Sequence, residues 1–297
     1  MKPKKKMLMV AVVGIGQWGK KLITEFNKVS TVRYALNSAD KENLSWLRNY
    51  DPTIKHDNTF QEILNDSSID AVVIATPINT HYEFTRQILS SGKNVFVEKP
   101  PTTDSDQLVK LIELAKKQNL SLFTNNTFLY DPFYKKIINA IKDKKINYLN
   151  LIWLKYGSFK EDITWNLGYH YLAIILSLIN QEPKIVNTEI QENRFFLDLE
   201  FASKLRCNVF IDRKYSAKAT RLININYKNK QILWTKDNLF CVDNGEVNKT
   251  SSEGNISPLE SIVTDFTKDL NQNSKDYRNI ELSLKVVNLI EKIHNFQ

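Results

Sequence analysis

The stretch NVFVEKPP, Asn94 to Pro101, ends an apolar run in an acid, a base and two prolines. Proline fixes its own φ and restricts the residue before it, so Glu98 and Lys99 are held at a strand tip instead of running on into a helix. An ammonium fixed in this way can polarise an oxygen; its structural alternative is a solvated strand-end lysine paired with Glu98. Further along, NLGYHYLAIILSLI sets Asn166 and His170 four residues apart on one face of a helical pattern. Imidazole titrates near neutral pH and the chain has only 4 His, which makes His170 a candidate proton acceptor, the alternative being a histidine satisfied in a core. Trp165, just before, reads equally as a stacking platform for a ligand or as core.

Gly14, Gly16 and Gly19 form GIGQWG between the apolar run LMVAVVG and the amphipathic stretch QWGKKLITEFNKV. Three of the 8 glycines thus fall at one strand-to-helix turn. A backbone bare of side chains can approach a pyrophosphate, and the helix start at Gln17 and Trp18 offers free N–H groups and a favourable dipole. In this context the spacing predicts dinucleotide binding, against the alternative of a tight structural turn. The same fingerprint asks for a carboxylate about 20 residues on, at the tip of the second strand, to hold the ribose hydroxyls. VRYALNSAD puts Asn37 and Ser38 there, with Asp40 too far along to substitute. An uncharged Asn can bond a ribose without repelling a 2′-phosphate, so NAD and NADP both stay open as cofactors.

The elements that must position these groups change character along the chain. LMVAVVG, VRYALN, AVVIAT, NVFVEK and LSLFTN are strand-like and mostly apolar throughout, separated by helical spans, as strands covered on both faces by helices would be. That pattern predicts a parallel, doubly wound sheet. From about Asn147 the runs INYLNLIWLKYG, KIVNTEIQE, RFFLDLEFA, LRCNVFIDR, RLININYK and QILWTK alternate with period two, predicting an antiparallel or mixed sheet with one covered face. Helical patterns LESIVTDFTKDL and IELSLKVVNLIEKI close the chain. At 297 residues two domains are expected, divided as 1–124 and 125–297.

Bulk properties exclude several classes. Hydrophobic residues make up 42% and charged residues 25%, an ordinary globular composition, and no run approaches the roughly 20 apolar residues of a membrane span. The start MKPKKKMLMVAVVG imitates a signal peptide but runs straight into the glycine loop without a cleavage site. Cys207 and Cys241 form no CxxC pair, so no metal site or disulfide framework is indicated and a reducing cytoplasm is expected. The net charge of +8 suits an anionic ligand, yet the lysines are scattered among acids and form no stripe with aromatics, which argues against nucleic acid as a partner.

Taken together, GIGQWG, AVVIATPINTHYEFTRQIL and GKNVFVEKPPTTD resemble the glucose-fructose oxidoreductase, inositol dehydrogenase and MocA (Gfo/Idh/MocA) family. Ala75, Thr76, Pro77 and His81 after one strand, and Glu98, Lys99 and Pro100 after the next, carry the resemblance. TFLYDPFYKKIINAI and ITWNLGYHYLAIILSLI extend it, to about residue 185, toward a branch of sugar and nucleotide-sugar dehydrogenases of surface-polysaccharide pathways. The resemblance implies a Rossmann domain at 1–124, then an α/β domain at 125–297 with a large open, mostly antiparallel sheet that binds substrate and assembles a homodimer or homotetramer. It implies an NAD(P)-dependent hydride transfer at a sugar hydroxyl or keto group, in a nucleotide-sugar or amino-sugar precursor. Gly14, Gly16, Gln17, Trp18, Gly19, Asn37, Ser38, Ala75, Thr76, Pro77, His81, Glu98 and Lys99 would face the cofactor, His81 ordering the pocket. Lys99, His170 and Asn166 would be the catalytic residues, Lys99 stabilising the developing alkoxide and His170 taking the hydroxyl proton, and all three would line the substrate with Asn126 and Trp165. Asn166 departs from the family Asp and Tyr171 from a following acid, which keeps a cyclitol or small-carbonyl oxidoreductase, or a regulator that binds NAD(P) without turnover, as alternatives.

Overall fold

A computed structural model describes residues 7–36, 40–157, 160–251 and 256–296. Two compact units emerge, one running to Thr127 and including Leu259–Leu284, the other comprising Phe128–Pro258 with Lys285–Gln297.

In the first unit five parallel strands, β1 (Met9–Val13), β2 (Thr31–Leu36), β3 (Ala71–Ile74), β4 (Asn94–Val97) and β5 (Leu122–Thr124), pair in the order β2-β1-β3-β4-β5. Val10 to Val12, Ala71 to Ile74 and Val95 to Val97 are fully buried, because helices cover both faces. Helix α1 (Gln17–Val29) buries Leu22, Ile23 and Phe26. The remaining early helices are α2 (Lys41–Tyr50), α3 (Phe60–Asn65), α4 (His81–Ser90) and α5 (Ser105–Gln118). Capping sets their starts: Asp40 accepts from Asn43 N–H, Asp104 from Gln107 N–H, and Thr59 with Glu62 forms a capping box. The chain leaves β1 toward β2 and returns on the other side to β3. That reversal opens a crevice at the carboxyl ends of β1 and β3, the place where such sheets bind ligands.

The second unit holds α6 (Pro132–Ile141), α7 (Tyr169–Leu178) and an eight-stranded sheet. Its strands are β6 (Ile146–Leu154), β7 (Lys184–Ile190), β8 (Arg194–Glu200), β9 (Arg206–Asp212), β10 (Thr220–Tyr227), β11 (Lys230–Thr235), β12 (Asn238–Asp243) and β13 (Glu246–Ser251). They pair in the order β13-β12-β11-β10-β6-β9-β8-β7, antiparallel except for β6 against β9. Leu149, Leu151, Val209, Ile211, Ile223 and Ile225 share the buried face. Phe196, Phe210, Ile152 and Leu222 stand in cross-strand register on the opposite face, half-buried.

Two features differ from the sequence-based expectation. The division lies three residues later than 124, and helix α8 (Pro258–Leu270), with the start of α9 (Arg278–Asn295), returns to the first unit. The reason is packing: Phe266 of α8 stands edge-on to Phe26 and Phe96, at centroid distances of 6.0 and 5.4 Å, and covers the parallel sheet. The antiparallel sheet also gains the hairpin β12–β13, turned by Asn244 and Gly245 at φ of 49° and 86°.

Candidate functional site

At the crevice of the first unit, the glycine loop is shaped by what it cannot hold. Gly14 has φ +101°, and a Cβ there would lie 2.4 Å from the Ala75 carbonyl oxygen. A Cβ on Gly19 would lie 1.9 Å from the Gly14 oxygen, so only glycine lets α1 begin this close to β1 and β3. A Cβ on Gly16, by contrast, meets nothing within 4 Å. Its lack of a side chain is not required by packing. Gly16, Gln17 and Trp18 are exposed, and no side chain caps the start of α1, which leaves its first N–H groups directed at the crevice. Lys21 lies over the Trp18 ring at 4.4 Å.

A cavity of about 470 Å³ opens beside this loop, lined by Gly14, Gly16, Leu36, Ala75, Thr76 and Pro77 among others. Phe60 and Phe84 wall it, edge to face at 4.8 Å, and Asp40 and Asn43 close the side at the start of α2. Asp40, the N-cap of α2, therefore lines the ligand crevice after all. Asn37 and Ser38 lie outside the described residues. The donor set fits a dinucleotide: bare backbone and free N–H groups for phosphates, aromatic walls for a base, a carboxylate for ribose hydroxyls.

The strand-tip group is next along the sheet. Lys99 is half-buried and joined to Pro100 by a cis peptide bond. Glu98 is 7% exposed and accepts from Asn125 Nδ2 at 2.7 Å, and burial pushes its carboxyl above the usual range. His81, 1% exposed, sits between Pro100 O at 2.7 Å from Nδ1 and Thr76 O at 2.9 Å from Nε2. It clamps the loop after β3 to the loop after β4. Burial, helped by the nearby Lys99 charge, holds the imidazole below its ordinary pKa despite the two carbonyls. Thr76 Oγ1 shares a 2.6 Å hydrogen bond with Thr80 Oγ1. Asn126 is buried, donating to Ser283 Oγ at 3.0 Å, while its Oδ1 finds no partner among the described residues.

In the second unit a π-helical turn, Thr164–Gly168, leads into α7, and such turns recur at functional sites. Gly168 lets the turn pack closely on β8, since a Cβ would meet the Phe195 ring at 3.2 Å. His170 is half-buried and stacks on Phe128 at 4.5 Å and 19°, with the Trp153 ring 6.0 Å away. Asn166 Nδ2 donates to Glu161 Oε2 at 3.2 Å. Trp165 stacks on His294 at 6.2 Å. Tyr171 is buried, its hydroxyl donating to Ile152 O at 2.7 Å, so it serves the core of this unit and not the exposed helix face.

Sequence reasoning passed over Phe60, Phe84 and Glu161. The two phenylalanines read as ordinary amphipathic helix positions and converge only through the packing of α3 and α4. Glu161 had no motif to mark it.

Comparison with known proteins follows the same lines. Residues 8–126 match the family GFO_IDH_MocA, described as an oxidoreductase family with an NAD-binding Rossmann fold. The "Uncharacterized oxidoreductase YhhX" of Escherichia coli (strain K12) is 29% identical over 212 residues, 67% of this chain and 60% of that relative. The match thus spans less than two thirds of the length of that protein. Among solved structures, UDP-N-acetylglucosamine 3-dehydrogenase GnnA from Acidithiobacillus ferrooxidans superposes with TM-score 0.86 at 16% identity, covering 98% of each chain. A variant of KijD10, a 3-ketoreductase from Actinomadura kijaniata in complex with TDP-benzene and NADP, does so with TM-score 0.86 at 13% identity, again over 98% of each. At these identities the two structures share the fold.

Proposed function

We propose that the chain, whose residues 8–126 match the Gfo/Idh/MocA oxidoreductase family, moves a hydride between NAD(P) and a hydroxyl or keto carbon of a sugar, in a nucleotide-sugar or amino-sugar precursor. The observation that carries this reading is the open Gly16 position at the uncapped start of α1. The nicotinamide nucleotide, when bound, supplies or accepts the hydride. The residues of the chain do the rest. Bare backbone and free N–H groups at Gly14 to Trp18 hold the phosphates, and Phe60 with Phe84 receives the adenine. Asp40 accepts from the ribose hydroxyls, and its charge repels a 2′-phosphate, favouring NAD over NADP.

Lys99, fixed by its prolines, offers its ammonium to the oxygen that gains charge as hydride leaves. His170 takes the hydroxyl proton, and Asn166, Trp165 and Asn126 contact the sugar. His81, set between the carbonyls of Pro100 and Thr76, holds the pocket and does not touch the reacting carbon. Proteins of the same fold support the substrate class: a UDP-N-acetylglucosamine 3-dehydrogenase and a 3-ketoreductase in complex with TDP-benzene. A homodimer or homotetramer is proposed through the half-buried apolar face of the eight-stranded sheet.

Cofactor titration by nicotinamide fluorescence, followed by a sugar panel read at the nicotinamide absorbance band, tests the reading. NAD binding tighter than NADP binding, with turnover of at least one nucleotide sugar, is expected. Binding without turnover across a broad panel would favour a regulator.

A further inference from the structure

Asn cannot offset charge on an imidazole, yet the structure places a carboxylate beside Asn166. Its Nδ2 donates to Glu161 Oε2 at 3.2 Å. The segment carrying Glu161 is fixed from several sides. Arg213, 4% exposed, donates from Nη1 to the Glu161 carbonyl at 2.7 Å and from Nε to Asn193 Oδ1 at 3.3 Å. Asp162 Oδ1 accepts from the backbone N–H of Thr164 at 2.9 Å, from that of Trp165 at 3.3 Å and from the Thr164 hydroxyl. Asn166 N–H closes the turn on Asp162 O at 2.9 Å. With the main chain of Glu161 held by a buried guanidinium, only its side chain has to order to reach Asn166.

A carboxamide can sit either way round, presenting its NH₂ or its oxygen with almost the same shape. A carboxylate only accepts, so it binds the NH₂ end and selects one of the two orientations. We propose that Glu161 is a positioning residue: by taking Asn166 Nδ2 it fixes the amide of Asn166, four residues before His170, in one orientation, with Oδ1 as its acceptor end. An aspartate at this position would need no such partner, since both of its ends accept. Here the acceptor stays on residue 166 and the negative charge moves to residue 161. The inference rests on the oxidoreductase reading above.

Glu161 is exposed, and exposed polar pairs contribute little to folding, so its loss should appear in turnover and not in melting temperature. Glu161→Leu is expected to lower kcat about tenfold, as loss of one ordering hydrogen bond does, with KM changed less than about twofold. Glu161→Gln, which can still accept, should lose less. Asn166→Asp alone sets two carboxylates against each other and should also lower kcat; adding Glu161→Gln should recover part of that loss, which additive effects would not do. Independently of turnover, the side-chain amide resonances of Asn166 should shift in Glu161→Leu. Amide resonances that move while kcat in Glu161→Leu stays at the wild-type value would overturn the positioning role alone. Unmoved resonances would overturn the hydrogen bond itself. No turnover by the unmodified chain would overturn the oxidoreductase reading and the catalytic consequence with it, the resonances still reporting the amide orientation.

Discussion

Single residues at this site are held more by main chain than by one another. His81 sets its two ring nitrogens against carbonyls of two loops, of which the neutral imidazole donates to one, and burial lowers its pKa below the ordinary value of 6.5. In the unfolded chain the same imidazole protonates near that value. Below it the unfolded state therefore binds more protons, and stability falls as pH falls; above it both states are neutral and the contribution is full. Denaturant unfolding between about pH 8 and about pH 5.5 should show this loss, with a slope of up to about 1.4 kcal/mol per pH unit, and His81→Gln should flatten it. At this scale the sequence is informative where a residue has a fixed backbone context. Glu98 and Lys99 announce themselves through two prolines, and His81 through its place after Thr76 and Pro77. Asp40 and Glu161 do not, because each works through a cap or an amide whose partner lies across a turn.

Among the elements, the start of α1 separates structural glycines from functional ones. Gly19→Ala drives a methyl into the Gly14 carbonyl and should cost more than about 2 kcal/mol in thermal or denaturant unfolding. Gly16→Ala fills open space at φ −73°, so stability should be nearly unchanged while cofactor affinity, read by fluorescence titration, drops about tenfold or more. The opposite pattern would place the phosphates elsewhere. The five parallel strands were legible because burial on both faces leaves nearly every position apolar, and β6 to β11 because one covered face imposes alternation. The hairpin β12–β13 was not, since Glu246–Ser251 is an edge strand with an almost wholly polar sequence; its Asn244-Gly245 turn was the one signal present. Helix α8 was legible as a helix but not as part of the first unit, since amphipathicity says that a face is buried and not what buries it.

For the whole molecule, the proposed assembly would use the half-buried apolar face of the eight-stranded sheet. Phe210→Asp, in register with Ile152 and Phe196, should convert a dimer or tetramer to monomer in light-scattering chromatography without loss of helical signal. An unchanged mass would remove that face from the assembly. None of the helices among the described residues is long and apolar enough to cross a membrane. Steady-state turnover of Lys99→Ala, measured alongside its cofactor affinity, decides whether Lys99 polarises the reacting oxygen of a sugar substrate beside a nicotinamide nucleotide. Cofactor binding close to that of the unmodified chain is expected, with kcat lower by about 100-fold or more, as for loss of a transition-state contact. Turnover equal to that of the unmodified chain would contradict it.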